Sequence, residues 1–306
     1  MKRFAPIAIA LLLSAAFVAP AGAQELTGTL KKVKESGTLT LGVRESSSPF
    51  SFIDDKQQYV GYSIDLCMKI VDAVKAELKL PNIKVNMTPV TSQTRIPLMS
   101  NGTVDMECGS TTNSIERQKQ VSFVVTTFLT GTKLLAKKSS NIKSYKDLKG
   151  KTVVVTSGTT NERAIKELDA KENLGLSFIQ AKDHSESFLN VDTGRAAAFP
   201  MDDILLYGLK ANAKNPADYD VIGEFLSDDP YAIMIRRDDP AFKKTADNAV
   251  IALIKNGEIN KIYAKWFESP IPPKGANLHL PMSDALKELF KAPNDRGVDT
   301  CGRMKC

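Results

Sequence analysis

Short β-rich runs alternate with helix-period runs along nearly the whole chain, and this alternation confines it to an α/β architecture. Residues 38–43, 83–90, 104–108, 152–156, 177–180 and 196–201 read as strands. In residues 63–78, Cys67, Ile70, Val71, Val74 and Leu78 recur every three or four positions, which predicts a helix with one apolar face. Ser92 is placed to cap a short helix through Met99, and Asn101-Gly102 turns the chain into the 104–108 strand. Further helices are expected over 160–172, 184–191, 203–213, 240–256 and 258–267. Pro270, Pro272 and Pro273 close that region before a last helix over 283–291. The "APNDRG" segment at 292–297 reads as a loosely held tail. Neither a repeat nor a Pro/Gly-rich linker divides the chain.

In open α/β sheets, ligands sit outside the carboxyl ends of the strands, where following helices present free N–H groups. Six polar clusters fall at such positions. Arg44 opens "RESSSPF", and Ser92 and Arg95 stand in "TSQTR". Ser110, Thr111, Thr112 and Arg117 belong to "ECGSTTNSIERQ", and Ser157, Gly158, Thr159 and Thr160 to "TSGTTNE". His184 and Asp202 follow the next two strands. Each cluster alone has a plainer reading. Ser92 and Ser114 could be helix caps, "TSGTTNE" a turn with a cap, the arginines solvated surface, and His184 an exposed loop residue. Asp202 and Asp203 could simply favour the N-terminus of the next helix. The common placement at strand ends argues for a shared site.

Three arginines, several hydroxyls and one carboxylate suit an anion that also carries an ammonium group. Arginine forks grip carboxylates and an aspartate balances the ammonium, so an α-amino acid with a second carboxylate fits this set. No nucleophile–base pair is evident: "TSGTT" is not G-x-S-x-G, and nothing in the sequence gives His184 a partner. An enzyme with only His184 and Asp202 as its acid–base pair is the competing class. His184 and His279 are the only histidines, so a His-rich metal site is excluded, and no cofactor is implied.

The N-terminus carries Lys2 and Arg3, an apolar run over residues 4–18, and Ala21-Gly22-Ala23 as a small-x-small cleavage site. Residues 1–23 therefore read as a secretory signal, with the mature chain starting at Gln24 and a periplasmic destination. The apolar run is shorter than the roughly 20 residues a membrane span needs. Lys and Arg outnumber Asp and Glu by 41 to 35, but the lysines are scattered, so nothing points to nucleic acid. Cys67, Cys108, Cys301 and Cys306 form an even set that suits pairing in an oxidising compartment. Cys67–Cys108 would tie a helix to a strand end, and Cys301–Cys306 would close a small tail loop.

The run Gly61-Tyr62-Ser63-Ile64-Asp65-Leu66 resembles the motif that opens the first long helix in periplasmic solute-binding proteins of amino-acid ABC transporters. "RESSSPFS", "TSQTRIPL", "ECGSTTNSIERQKQ", "DLKGKTVVVTSGTT", "AKDHSESF", "MDDILL" and "PIPPK" resemble the glutamate/aspartate-binding branch. Ser63 stands where an acidic residue is usual. The resemblance implies a type II periplasmic-binding-protein fold, with two hinge-linked α/β lobes closing on the ligand. Residues 24–130 plus 232–306 would form one lobe and 131–231 the other. It further implies L-glutamate or L-aspartate as ligand, an inner-membrane ABC permease as partner, and a monomer. Arg117 would pair with the α-carboxylate, and Ser110 and Thr112 would contact the carboxylate and the ammonium. Thr160 and the loop amides around Thr159 would approach the α-carboxylate from the other lobe, and Asp202 would receive the ammonium. Arg44, Ser92, Arg95 and His184 would surround the side-chain carboxylate.

Overall fold

The computed structural model describes residues 26–299, so the signal segment, the Gln24 start and the Cys301–Cys306 pairing lie outside the described residues. Two five-stranded mixed sheets organise the chain. In the first, the strand order is Lys84–Pro89, Thr38–Val43, Met106–Glu107, Met234–Arg236, Val121–Phe123. The first three strands run parallel, and Met234–Arg236 is antiparallel to both neighbours. The second sheet repeats this plan in the order Ser177–Ala181, Thr152–Thr156, Ala198–Asp202, Thr132–Lys137, Tyr219–Ile222. Its antiparallel member is Thr132–Lys137.

Each sheet sits over its own apolar core. Helix Tyr62–Leu78 turns Ile70, Val71 and Val74 onto the first sheet beside Leu39 and Leu41. Helix Thr160–Glu172 contributes Ile165 and Leu168 to the core of the second, with Val153 and Val155. Full burial of such side chains contributes about 1.5–3 kcal/mol each. The chain crosses between the sheets twice, and the crossings pair as antiparallel strands Phe128–Thr130 and Asp229–Tyr231. Phe50, Tyr62, Phe128, Tyr231, Tyr263 and Phe267 cluster around these crossings as an aromatic hub. The result is a two-lobed α/β fold. Among the described residues no helix is long and apolar enough to cross a membrane.

Several sequence expectations need correction. Lys84–Pro89 is a mostly exposed edge strand, and only Met106–Glu107 of the 104–108 run pairs as a strand. Ser92 caps nothing: helix Arg95–Ser100 follows Thr94, and Ser92 Oγ instead accepts from Arg44. Residues 292–298 are not loose, since their backbone is hydrogen-bonded to residues 113–126. Helix Gly28–Ser36 and the strands Val121–Phe123, Thr132–Lys137 and Tyr219–Ile222 lie outside the expected elements.

Candidate ligand-binding cleft

The carboxyl ends of the parallel strands in both sheets face one another across a narrow cleft. A small, tight cavity lies there, lined from the first lobe by Ser92, Arg95, Ser110 and Thr112. Thr159, Thr160, Asn161, His184, Met201, Asp202 and Leu205 line it from the second. Arg44 and Arg117 stand directly behind this lining. Arg44 Nη2 donates to Ser92 Oγ at 2.9 Å, and Arg117 Nη1 donates to the Thr112 carbonyl at 2.9 Å.

All three arginines are buried, with Arg44 and Arg95 at 2% exposure and Arg117 at 8%, so the solvated-surface reading does not hold. Burial first, and then the Arg95 cation, pull Arg44 down to about 10 and Arg117 to about 9. Arg95 is lowered by burial and supported by Glu107. Guanidinium groups keep their charge in proteins, so these are buried cations that the protein alone compensates incompletely. Arg44 Nη1, Arg95 Nε and Ser110 Oγ are buried without a hydrogen-bond partner in the protein. Buried donors of this kind are rare in native folds and call for an acceptor.

His184 is 1% exposed at the first turn of helix His184–Asp192, which corrects the exposed-loop reading. Its Nδ1 lies 3.0 Å from Thr156 Oγ1. Burial, then Arg44 and Arg95, hold its pKa well below 6.5, so the ring is neutral at physiological pH. Thr159 caps helix Thr160–Glu172 through Glu162 N at 3.1 Å and donates to Thr156 O at 2.8 Å. Its hydroxyl is thereby committed, and only its backbone is free to serve a ligand. Ser114 likewise caps the short helix Ile115–Gln118.

Four buried residues were not among the sequence candidates. Glu107 Oε2 accepts from Thr111 Oγ1 at 2.6 Å, and Thr111 accepts from Arg95 Nη1 at 2.5 Å, giving Arg95 a relayed counter-charge. Asn161 Nδ2 donates to Asp202 Oδ1 at 2.8 Å, and the Tyr231 hydroxyl donates to Asp202 Oδ2. Asp229 accepts from Thr160 Oγ1 at 3.1 Å and from Ser227. Burial, then repulsion from Asp229, raise Asp202 well above its usual range, and burial also raises Asp229. Glu107 stands inside the "ECGSTT" run, where a carboxylate beside strand-end hydroxyls was the available signal. Asp229 and Tyr231 lie in a crossing strand with no such mark.

The two halves of the cleft touch. Thr112 Oγ1 lies 3.3 Å from Thr160 Oγ1, and Arg117 Nη2 donates to Gly158 O at 3.3 Å. Gly158 has φ of +81°, and an added Cβ would lie 2.8 Å from Gln93 Cα, so only glycine fits this approach. Among the described residues no cluster of three or more His, Cys, Asp or Glu is arranged to hold a metal.

A two-lobed α/β fold with a buried polar cleft between the lobes defines a protein that encloses a small solute. The sequence from 39 to 269 matches the bacterial extracellular solute-binding proteins, family 3, and the chain belongs to that family. It is 54% identical to an L-glutamate/L-aspartate-binding protein of Pseudomonas aeruginosa, over 97% of this chain and 99% of that one. It is 46% identical to a glutamate/aspartate import solute-binding protein of Escherichia coli K12, over 98% of this chain and 99% of that one. Among solved structures, an ancestral arginine-binding protein bound to arginine matches with a TM-score of 0.68 and 31% identity. That match covers 76% of this chain and 98% of the other. These relatives are named as binding proteins, not enzymes.

Proposed function

We propose that this protein captures L-glutamate or L-aspartate by closing its lobes and delivers it to an inner-membrane ABC importer. The observation that carries this reading is a single small cavity lined by Arg95 and Asp202, with buried Arg44 and Arg117 bonded to its lining residues Ser92 and Thr112. Arg117, with Thr112, Ser110, Thr160 and the amides of the 158–160 loop, takes the α-carboxylate. Asp202, already oriented by Asn161 and Tyr231, takes the α-ammonium. Arg44, Ser92 and Arg95, with neutral His184 beside them, take the side-chain carboxylate. The unpartnered Arg44 Nη1 and Arg95 Nε supply donors for that role, and the unpartnered Ser110 Oγ one for the α-carboxylate. Closure removes water from the cleft, which strengthens each charge-assisted bond.

The names of the similar proteins from Pseudomonas and Escherichia favour the same ligands. The lobes take residues 24–130 plus 232–306 and 131–231. This division is supported by the sheets, since every strand of each five-stranded sheet falls within one of these sets. Residues 1–23 act as a secretory signal, Gln24 begins the mature chain, and the protein works as a periplasmic monomer.

Calorimetric titration of refolded, ligand-free mature protein with L-Glu, L-Asp, L-Gln and succinate tests this reading. Tight one-to-one binding restricted to L-Glu and L-Asp is expected. Equal binding of L-Gln would remove Arg44 and Arg95 from their roles. Heat persisting after saturation, with the ligand altered, would make the protein an enzyme.

A further inference from the structure

Residues 292–298, after the last helix, run back along residues 113–126. Helix Asp284–Lys291 packs Leu286, Leu289 and Phe290 on the aromatic hub, and the chain then returns to residues 113–126. Thr126 N donates to Asn294 O at 2.9 Å. Asn113 Nδ2 and Gln118 Nε2 both donate to Asp295 O, at 2.8 and 3.0 Å. Ile115 N donates to Val298 O at 3.0 Å, and Val298 N donates to Asn113 O at 3.1 Å. Lys243, on helix Pro240–Lys255, pairs with Asp295 at 2.9 Å.

On its opposite side, Asn113 N donates to Pro230 O of the crossing strand at 2.8 Å, and Thr112 bridges Tyr231. Fully buried Asn113 is thus stitched between the crossing strand and the C-terminal segment. It directly follows Thr112, whose carbonyl holds Arg117. The helix carrying Arg117, Ile115–Gln118, has only four residues and cannot hold its own register. External partners must fix it.

We propose that residues 294–298 are a strap that positions the Thr112–Arg117 anchor, with Asn113 and Gln118 as the positioning residues that transmit its hold. This inference rests on the reading of Arg117 and Thr112 as the α-carboxylate anchor. Arginine recognition of a carboxylate depends on the direction of its fork, so a loosened 112–118 segment loses affinity even with every cleft side chain present.

Two full-length variants test it. A Cβ at Gly297 would lie 2.9 Å from Ile115 N and 3.0 Å from Gln118 Nε2, so Gly297→Val pushes the strap away. Gln118→Ala removes the bonds to Asn113 and Asp295 and is the milder change. In ligand-free protein, hydrogen exchange should speed up selectively in peptides covering 110–120. Titration with L-Glu should show binding weakened at least tenfold by Gly297→Val and several-fold by Gln118→Ala. In double-mutant cycles the loss should be non-additive with Arg117→Lys and additive with Arg95→Lys. Unchanged exchange in both variants, or full additivity with Arg117→Lys, would overturn the strap. If wild-type protein fails to bind L-Glu, the ligand assignment falls, while the exchange measurement still decides the strap. If Gly297→Val does not fold, Gln118→Ala carries both measurements.

Discussion

At the scale of single residues, the cleft separates two kinds of arginine. Arg117 stands behind Thr112 and reaches Gly158, while Arg44 and Arg95 are linked to Ser92, Ser110 and Thr111. Removing one partner of a buried charged contact typically costs about 2–5 kcal/mol of binding. Arg117→Ala should therefore weaken L-Glu, L-Asp and L-Gln alike by a factor of ~30 or more. Arg95→Ala should narrow the preference for L-Glu over L-Gln. Titration of both variants with all three ligands decides it, and equal losses for L-Glu and L-Gln in Arg95→Ala would sink the division of labour.

Asp202 adds a pH dependence. Its pKa is raised by burial and by Asp229, while Tyr231 and Asn161 favour its ionised form. A protonated carboxyl cannot neutralise the ligand ammonium, and a bound ammonium pulls the pKa back down. Affinity should consequently fall as the pH is lowered, beginning well above the usual carboxylate range, with protons released on binding where Asp202 is protonated in the free protein. Asp202→Asn should bind weakly with a flatter profile. A flat profile for the wild type would contradict the assignment. Strand-end positions were readable because polar clusters there cannot be core. Their partners were not, since Asp202 is oriented by Asn161 and Tyr231, which lie 41 and 29 residues away in the chain.

At the scale of elements, helix periodicity was legible in Tyr62–Leu78, whose apolar stripe faces the first sheet, and in Glu258–Phe267, whose stripe packs on the aromatic hub. The crossing strands carry no periodicity of their own, because Phe128–Thr130 and Asp229–Tyr231 are three residues each and gain their pairing from one another. The covalent link between elements is Cys67–Cys108, which joins helix Tyr62–Leu78 to the end of Met106–Glu107 across 41 residues. Both cysteines are fully buried in the first lobe's core. Closing a loop of that length removes about 4 kcal/mol of unfolded-state entropy in the chain-entropy model. The double substitution Cys67→Ala, Cys108→Ala should lower stability by about 2–4 kcal/mol in urea. Its m-value should rise as the unfolded chain expands. An unmoved midpoint would show that packing, rather than the link, holds helix to sheet.

At the scale of the molecule, the two lobes meet at backbone distance as well as through side chains. Helix Asp203–Ala211 of the second lobe brings Gly208 against the loop after Ser46–Ser47, where an added Cβ would lie 2.4 Å from the Ser48 carbonyl oxygen. Alanine inside this helix would ordinarily be favoured over glycine by up to ~1 kcal/mol. Gly208→Ala therefore sets helix propensity against closure. The ligand-free protein should be as stable as the wild type, or slightly more so, because an open cleft leaves room for the methyl group. Binding should be weaker, because closing forces that methyl group into a backbone carbonyl that has no rotamer to escape into. Urea unfolding without ligand, L-Glu titration and small-angle scattering at saturating ligand separate these effects. The expected pattern is unchanged or raised stability, reduced affinity, and a smaller ligand-induced decrease in radius than in the wild type. Wild-type affinity together with full compaction would mean that the bound state does not need this approach. Closure would then rest on the other contacts between the lobes, Thr112 with Thr160, Arg117 with Gly158 and the Arg163–Glu116 ion pair among them.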